Sequence, residues 1–182
     1  MINIYKPKLT NLQQAILRLL FVKTGESLNQ RAISKILNVS APAVMKALPY
    51  LEKNELIILK QDKESKRWSI ELNRDNRKVM QLKRADNMKL IYESGLADFL
   101  EKEFAGGVII LFGSYSKGED TIKSDIDIAI IERKDKELDL SKFEKDLERK
   151  IHLLFFDSFK KINENLRNNI LNGIVFAGSV EL

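Results

Sequence analysis

The sequence predicts an α+β protein in two parts, on three observations. Residues 10–53 carry apolar positions at helical spacing, interrupted by two short turns, and are followed by two strand-like runs, Ile57–Gln61 and Arg67–Leu72. Further on, three apolar runs, Gly107–Phe112, Ile126–Ile131 and Ile151–Phe156, alternate with helical patterns, as expected for a sheet with helices packed on it. The charge divides at the same place. Residues 1–90 hold 18 Lys/Arg against 8 Asp/Glu, and residues 91–182 hold 13 against 18. A basic half joined to an acidic half suggests two tasks, the first of them contact with a polyanion, most simply nucleic acid.

Composition sets the outer bounds. The 182 residues are 44% hydrophobic, enough for one large or two small cores. No run of eighteen apolar residues is present, so no membrane span is expected. The chain has no cysteine, which excludes disulfides and thiolate metal sites. The first residues, Met1 to Lys6, lack the shape of a signal peptide. A cytoplasmic location is the expectation.

The first helix is expected over Thr10–Val22, with Thr10 as N-cap and Leu12, Ile16, Leu19 and Leu20 as its apolar stripe. After a turn at Lys23–Ser27, a short helix over Asn29–Leu37 is expected to turn Ala32, Ile33, Ile36 and Leu37 inward. Asn38 to Ser40 make a tight connection, and Ser40 caps a third helix, Ala41–Lys53. Pro42 lies in its permitted first turn, whereas Pro49 should kink it or end its regular part. The two strand-like runs are joined by the charged turn Asp62–Lys66.

Three helices and a β-hairpin in this order resemble the winged helix-turn-helix of transcriptional regulators, over about residues 9–73. The resemblance implies a DNA-binding domain over residues 1–75 whose third helix enters a major groove. Ser40, Ala41, Ala43 and Lys46 are the exposed candidates there, of which only Ser40 and Lys46 can hydrogen-bond a base edge. Lys60, Lys63, Lys66 and Arg67 around the hairpin are placed for phosphates, which fix position but not sequence. Ordinary solvated surface, or a protein partner, is the competing reading of these lysines. Residues 76–103 read as a stiff helical connection, broken at Gly95, that packs on the following domain.

The most informative stretch is Leu111 to Ile128. Gly113-Ser114 follows one apolar run, and ten residues later Asp125-x-Asp127 leads into the next. Carboxylates at i and i+2 on a strand share a face and lie close enough to share a hard divalent cation together with substrate phosphates. A Gly-Ser turn offers backbone N–H groups and a hydroxyl to phosphate oxygens. This spacing, with Gly118 five residues after Gly113 and Ser124 just before Asp125, resembles the nucleotidyltransferase superfamily that includes DNA polymerase β, and within it the minimal nucleotidyltransferases.

The resemblance implies a domain over residues 104–182 with a small mixed sheet flanked by helices, an NTP substrate, and Mg²⁺ or Mn²⁺. Asp125 and Asp127 would be the metal ligands, with Gly113, Ser114, Lys117 and Ser124 at the nucleotide. In this family a third carboxylate commonly stands on the strand that is Ile151–Phe156 here. The matching position holds His152, the only histidine. An imidazole there could serve as a ligand for Mn²⁺ or Zn²⁺, act as a general base, or simply fill the edge of a core. Beyond the Asp-x-Asp strand, helices are expected over Leu140–Lys150 and Ser158–Leu171, the strand Ile151–Phe156 in a central position, a turn at Asn172-Gly173 and a last strand at Ile174–Phe176.

Three functions remain open from sequence. One is a nucleotidyltransferase that moves NMP onto an acceptor, such as a partner protein encoded nearby as in antitoxin-like members, with a winged helix for autoregulation. Another is a DNA-binding regulator whose second domain binds nucleotide but is catalytically weak because of His152. A third is an interaction module. Double-stranded DNA and a homodimer are the further expected partners.

Overall fold

The computed structural model describes residues 8–63 and 67–180. They fall into two compact units, divided between Val79 and Met80.

In the first unit, α1 (Asn11–Val22) begins at Thr10. The Thr10 hydroxyl accepts from the Gln13 amide and the Gln13 side chain accepts from the Thr10 amide, a reciprocal cap. α2 (Gln30–Leu37) is capped by Asn29 and stops at Asn38, which takes the left-handed conformation at φ 52°. α3 (Ala41–Lys53) restarts at Ser40, whose Oγ accepts from the Ala43 N–H at 3.3 Å. Pro49 does not end the helix, and α3 runs on to Lys53. Pro49 is exposed, so its ring displaces nothing from the core.

α3 ends through Glu55 at φ 55°, with the Leu56 N–H donating to the Leu51 carbonyl at 2.9 Å. β1 (Ile57–Gln61) and β2 (Trp68–Leu72) pair antiparallel, from Ile57 opposite Leu72 to Gln61 opposite Trp68. Leu28 adds one rung by exchanging two backbone hydrogen bonds with Ile70, of 2.7 and 3.1 Å. Ile16, Ile33, Val44, Leu48, Leu51 and Ile70 are fully buried between helices and hairpin, each contributing about 1.5–3 kcal/mol. This is the winged helix-turn-helix arrangement. One residue departs from expectation: Ile36 is 52% exposed. The two-turn α2 meets the core along a single line through Ile33 and Leu37, and Ile36 falls beside it.

α4 (Arg77–Ser94) contains the unit boundary, and Gly95, at φ 78°, separates it from α5 (Leu96–Glu103) as expected. The second unit continues with β3 (Val108–Phe112), α6 (Gly113–Lys117), β4 (Ile126–Ile131), α7 (Ser141–Leu147), β5 (Ile151–Phe156), a 3₁₀ turn at Phe159–Lys161, α8 (Glu164–Leu171) and β6 (Ile174–Ala177). The strand order is β5-β4-β3-β6. β3 is antiparallel to both neighbours and β4 is parallel to β5, so the sheet is mixed.

Three expectations are corrected here. β5 lies at the edge of the sheet, not in its middle. Its continuous apolar run arises because both its faces are still partly covered: Leu153 and Phe155 pack on one core, Leu154 and Phe156 on the other. The helix expected over Leu140–Lys150 is shorter, closing at Glu148 in a left-handed turn at φ 51°. The helix expected from Ser158 is instead a 3₁₀ turn pinned by buried Phe159, and α8 starts afresh at Asn163, which caps the Leu166 amide.

Each face of the sheet has its own core. Ile109, Leu111, Ile126, Ile128 and Ile130 face Ile91, Leu96, Leu100, Phe143 and Leu147 from α4, α5 and α7. Val108, Ile110, Ala129 and Ile131 face Phe159, Ile162 and Ile170 from the 3₁₀ turn and α8. By strand alternation, Asp127 belongs to the face of Ala129 and Ile131, and His152 to that of Leu154 and Phe156.

Candidate functional site

The sheet end at which β3 stops and β4 starts gathers the sequence motif. β3 leaves the sheet through Gly113, which opens α6 at φ +76°. A Cβ at Gly113 would stand 2.7 Å from Asp127 Oδ2, so glycine is required there by backbone and by neighbour alike. Ser114 is half-buried beside it. Ser116 turns inward and donates to the Gly113 carbonyl at 2.8 Å, fixing the turn. α6 ends at Gly118, φ +76°, where a Cβ would come within 2.6 Å of the Met80 carbonyl and 2.8 Å of the Arg84 amide nitrogen. The loop is thereby held backbone-to-backbone against α4.

Asp127 is the cross-strand partner of Phe112 on one side and of His152 on the other. Asp125 stands one residue before β4. The His152 Nδ1 lies 3.8 Å from Asp125 Oδ2 and 3.9 Å from Asp127 Oδ1. The three side chains are 42%, 34% and 58% exposed for Asp125, Asp127 and His152, so all are open to solvent. Burial pushes the Asp127 carboxyl above its ordinary range and the nearby Asp125 charge adds to this, while His152 opposes it. No Lys or Arg ion-pairs with either carboxylate among the described residues.

The other expected residues are placed as follows. Ser124 Oγ accepts from the Thr121 amide at 3.0 Å, closing the turn that leads into Asp125. Lys117 is exposed and donates to Asn169 Oδ1 of α8 at 3.3 Å. In the first unit, Lys46, Lys60, Lys63 and Arg67 are exposed, Ser40 is exposed but its oxygen caps α3, and Ala43 is half-buried. Lys66 lies outside the described residues.

Sequence reasoning missed a buried polar group behind the site. Lys83 of α4 is fully buried and donates to Asp120 Oδ1 at 2.5 Å. Asn87 Nδ2 donates to the same oxygen at 2.7 Å and to the Tyr115 carbonyl at 2.9 Å. The Arg149 guanidinium reaches Asp120 Oδ2 at 3.3 Å. Desolvation lowers the Lys83 ammonium below its ordinary pKa although Asp120 opposes this, and burial raises the Tyr115 phenol. Asp120 thus ties the loop between α6 and Asp125 to α4 and to the start of β5. One signal was available: Val79, Lys83, Asn87 and Ile91 form a four-residue repeat whose members are all buried, so two polar residues continue an apolar stripe.

With a glycine turn packed against the second of two accessible carboxylates on one strand face, the comparison with known families becomes informative. Residues 93–177 match the nucleotidyltransferase domain family. The C-terminal unit is therefore a nucleotidyltransferase domain, and its Gly113-Ser114 and Asp125-x-Asp127 both lie inside the matched segment.

No curated protein matches the sequence. Among solved structures, similarity is found to the adhesin competence repressor AdcR of Streptococcus pyogenes (25% identity over 57% of this chain and 72% of that one, TM-score 0.42). It is also found to a MepR–DNA complex of S. aureus (25%, 52% and 77%, TM-score 0.39) and to a ZitR variant of Lactococcus lactis (27%, 57% and 75%, TM-score 0.40). The winged helix ahead of the nucleotidyltransferase domain is defined by its own three helices and hairpin, and these low scores add nothing to it.

Proposed function

We propose that the chain transfers a nucleoside monophosphate from an NTP to an acceptor at Asp125, Asp127 and His152, and that its winged helix binds double-stranded DNA. The observation that carries the first part is the Gly113–Asp127 approach, because it brings the glycine turn directly against the second carboxylate of the pair. The donor set suits a divalent cation that arrives with the triphosphate. Two accessible carboxylates face one side, and among the described residues neither forms an ion pair with a Lys or Arg and no group of three or more His, Asp or Glu is arranged to hold a metal alone. Mg²⁺ or Mn²⁺ bound there would supply Lewis-acid stabilisation of the charge on the α-phosphoryl oxygens and on the pyrophosphate that leaves as the acceptor hydroxyl attacks.

The protein's own part is positional. Asp125 and Asp127 hold the cation, and the turn at Gly113 and Ser114 receives the β- and γ-phosphates. Lys117 and Ser124 border the nucleotide, Ser124 by setting the turn before Asp125. His152, on the side of the carboxylates away from Gly113, is the proposed acceptor of the attacking hydroxyl's proton. The acceptor proposed is a hydroxyl of a partner protein encoded nearby, in an antitoxin-like pairing that the winged helix autoregulates, with a homodimer presenting two winged helices to DNA.

A second reading is favoured by one observation: the third position carries an imidazole, not a carboxylate. A site so built can bind nucleotide and cation yet activate the acceptor poorly, leaving a nucleotide-binding regulator. Labelled ATP, CTP, GTP and UTP, each with Mg²⁺ or Mn²⁺ and with or without the neighbouring gene product, separate the two. Transfer that is lost in Asp125→Ala/Asp127→Ala supports the enzyme. Nucleotide binding without transfer supports the regulator, and absence of nucleotide binding overturns both.

A further inference from the structure

α3 has an unusual outward face for a helix that reads DNA. Its buried side is Val44, Ala47, Leu48 and Leu51. Opposite these, at helical spacing, lie Pro42, Lys46, Pro49 and Lys53, all exposed. Ala43, half-buried, and Tyr50, 41% exposed, flank that stripe. The helix contains no Arg, Asn, Gln or His, so Lys46 and Lys53 are its only side chains of a type that pairs with guanine, and none pairs bidentately with adenine. Ser40 Oγ accepts from the Ala43 N–H, which holds the hydroxyl at the start of its own helix and leaves its O–H as the donor for a base edge.

Beside Lys46, which shares that stripe, what α3 offers the groove floor is apolar: the Ala43 methyl and the ring methylenes of Pro42 and Pro49. The complementary feature of the major groove is the C5-methyl of thymine, the one apolar group that base pairs display there. Around this apolar face stand cations suited to phosphates, with Lys46 and Lys53 on α3 and Lys60 and Lys63 on the hairpin, all exposed. Resting on the DNA-binding reading of the first unit, we propose that α3 recognises duplex DNA by apolar contact of Pro42, Ala43 and Pro49 with thymine methyls. The ligand class is thymine-rich A·T duplex, with shallow discrimination and strong dependence on salt.

The test changes the DNA and leaves the full-length protein intact. Binding is measured by fluorescence anisotropy to an A·T duplex containing thymine and to the same duplex with uracil throughout, which deletes only the methyls. A matched G·C pair of duplexes carries cytosine or 5-methylcytosine, which adds a methyl at the same groove position. The expected result is tighter binding to thymine than to uracil, about threefold to fourfold for each methyl contacted, tighter binding to 5-methylcytosine than to cytosine, and one common salt slope. Equal affinity for thymine and uracil duplexes overturns the proposal while leaving DNA binding in place. Failure to bind any duplex at low salt overturns the DNA reading itself, and this proposal with it.

Discussion

His152 stands opposite Asp127 in the parallel register of β4 and β5, with its Nδ1 within 3.9 Å of carboxylate oxygens on both Asp127 and Asp125. An imidazole there withholds a third oxygen from a cation held by the two carboxylates, and oxygen ligands are what Mg²⁺ selects. In His152→Asp, transfer in Mg²⁺ relative to Mn²⁺ is expected to rise on the order of tenfold. Rates in the two metals and Mn²⁺ affinity by electron paramagnetic resonance check this. An unchanged ratio together with unchanged Mn²⁺ affinity places His152 outside the cation's shell.

Asp127 links the site to stability. Its folded-state pKa lies above the ordinary 3.8, so the native state holds more protons than the unfolded one between those two values. Stability therefore falls as pH climbs through that window, and the deficit persists at neutral pH. Asp127→Asn removes it. Calorimetry at pH 7 is expected to show a Tm higher by at most about 3 °C, since the side chain is partly exposed and water screens it, with no gain near pH 3. Stabilisation by NTP and cation should vanish in the same variant.

Gly113 and Gly95 make a controlled pair. Both have positive φ, yet a Cβ on Gly95 meets nothing within 4 Å whereas one on Gly113 meets Asp127. Gly95→Ala should cost about 1–2 kcal/mol for the backbone alone. Gly113→Ala should cost more in urea unfolding, and only it should weaken Mn²⁺ binding, because its methyl displaces the carboxylate.

The pattern of what the sequence revealed follows from range. Gly113-Ser114 and Asp125-x-Asp127 were legible because strand alternation and one short loop bring them together. Thr10, Asn29 and Ser40 were legible as caps because a cap bonds within three residues. The edge position of β5 was not, since an edge strand with helices over both faces carries the same apolar run as a central one. Asp120 was not, since its Lys83 partner lies 37 residues away on another element. Ser158 was misleading because the buried ring of Phe159 fixes that segment, whatever the local capping signal.

The Lys83–Asp120 pair is expected to be costly to break and cheaper to replace. Lys83→Met leaves Asp120 fully buried with its closest cation gone, and should destabilise the C-terminal unit by about 3–5 kcal/mol. The double variant Lys83→Met/Asp120→Asn should recover a substantial part of that loss. Urea unfolding of both variants, followed by near-ultraviolet dichroism from the tyrosines, checks the sign.

Lys46 and Lys63 should act through charge alone. Lys46→Ala/Lys63→Ala is expected to weaken duplex binding at low salt and to reduce the slope of log affinity against log salt by up to about 2, with the thymine-over-uracil preference unchanged. An unaltered slope means that neither lysine meets phosphate.

The anchoring of the Asp120 loop bears on how this protein would fail. Its glycine, carboxylates and imidazole are open to solvent or local in sequence, whereas the parts that keep them in register are a lysine, an asparagine and an aspartate sealed beneath them. A genetic screen for alleles that have lost activity should therefore return Lys83, Asn87 and Asp120 as readily as Asp125 and Asp127, and the two groups should differ in abundance: the first depleted by degradation, the second accumulating as folded but inert protein.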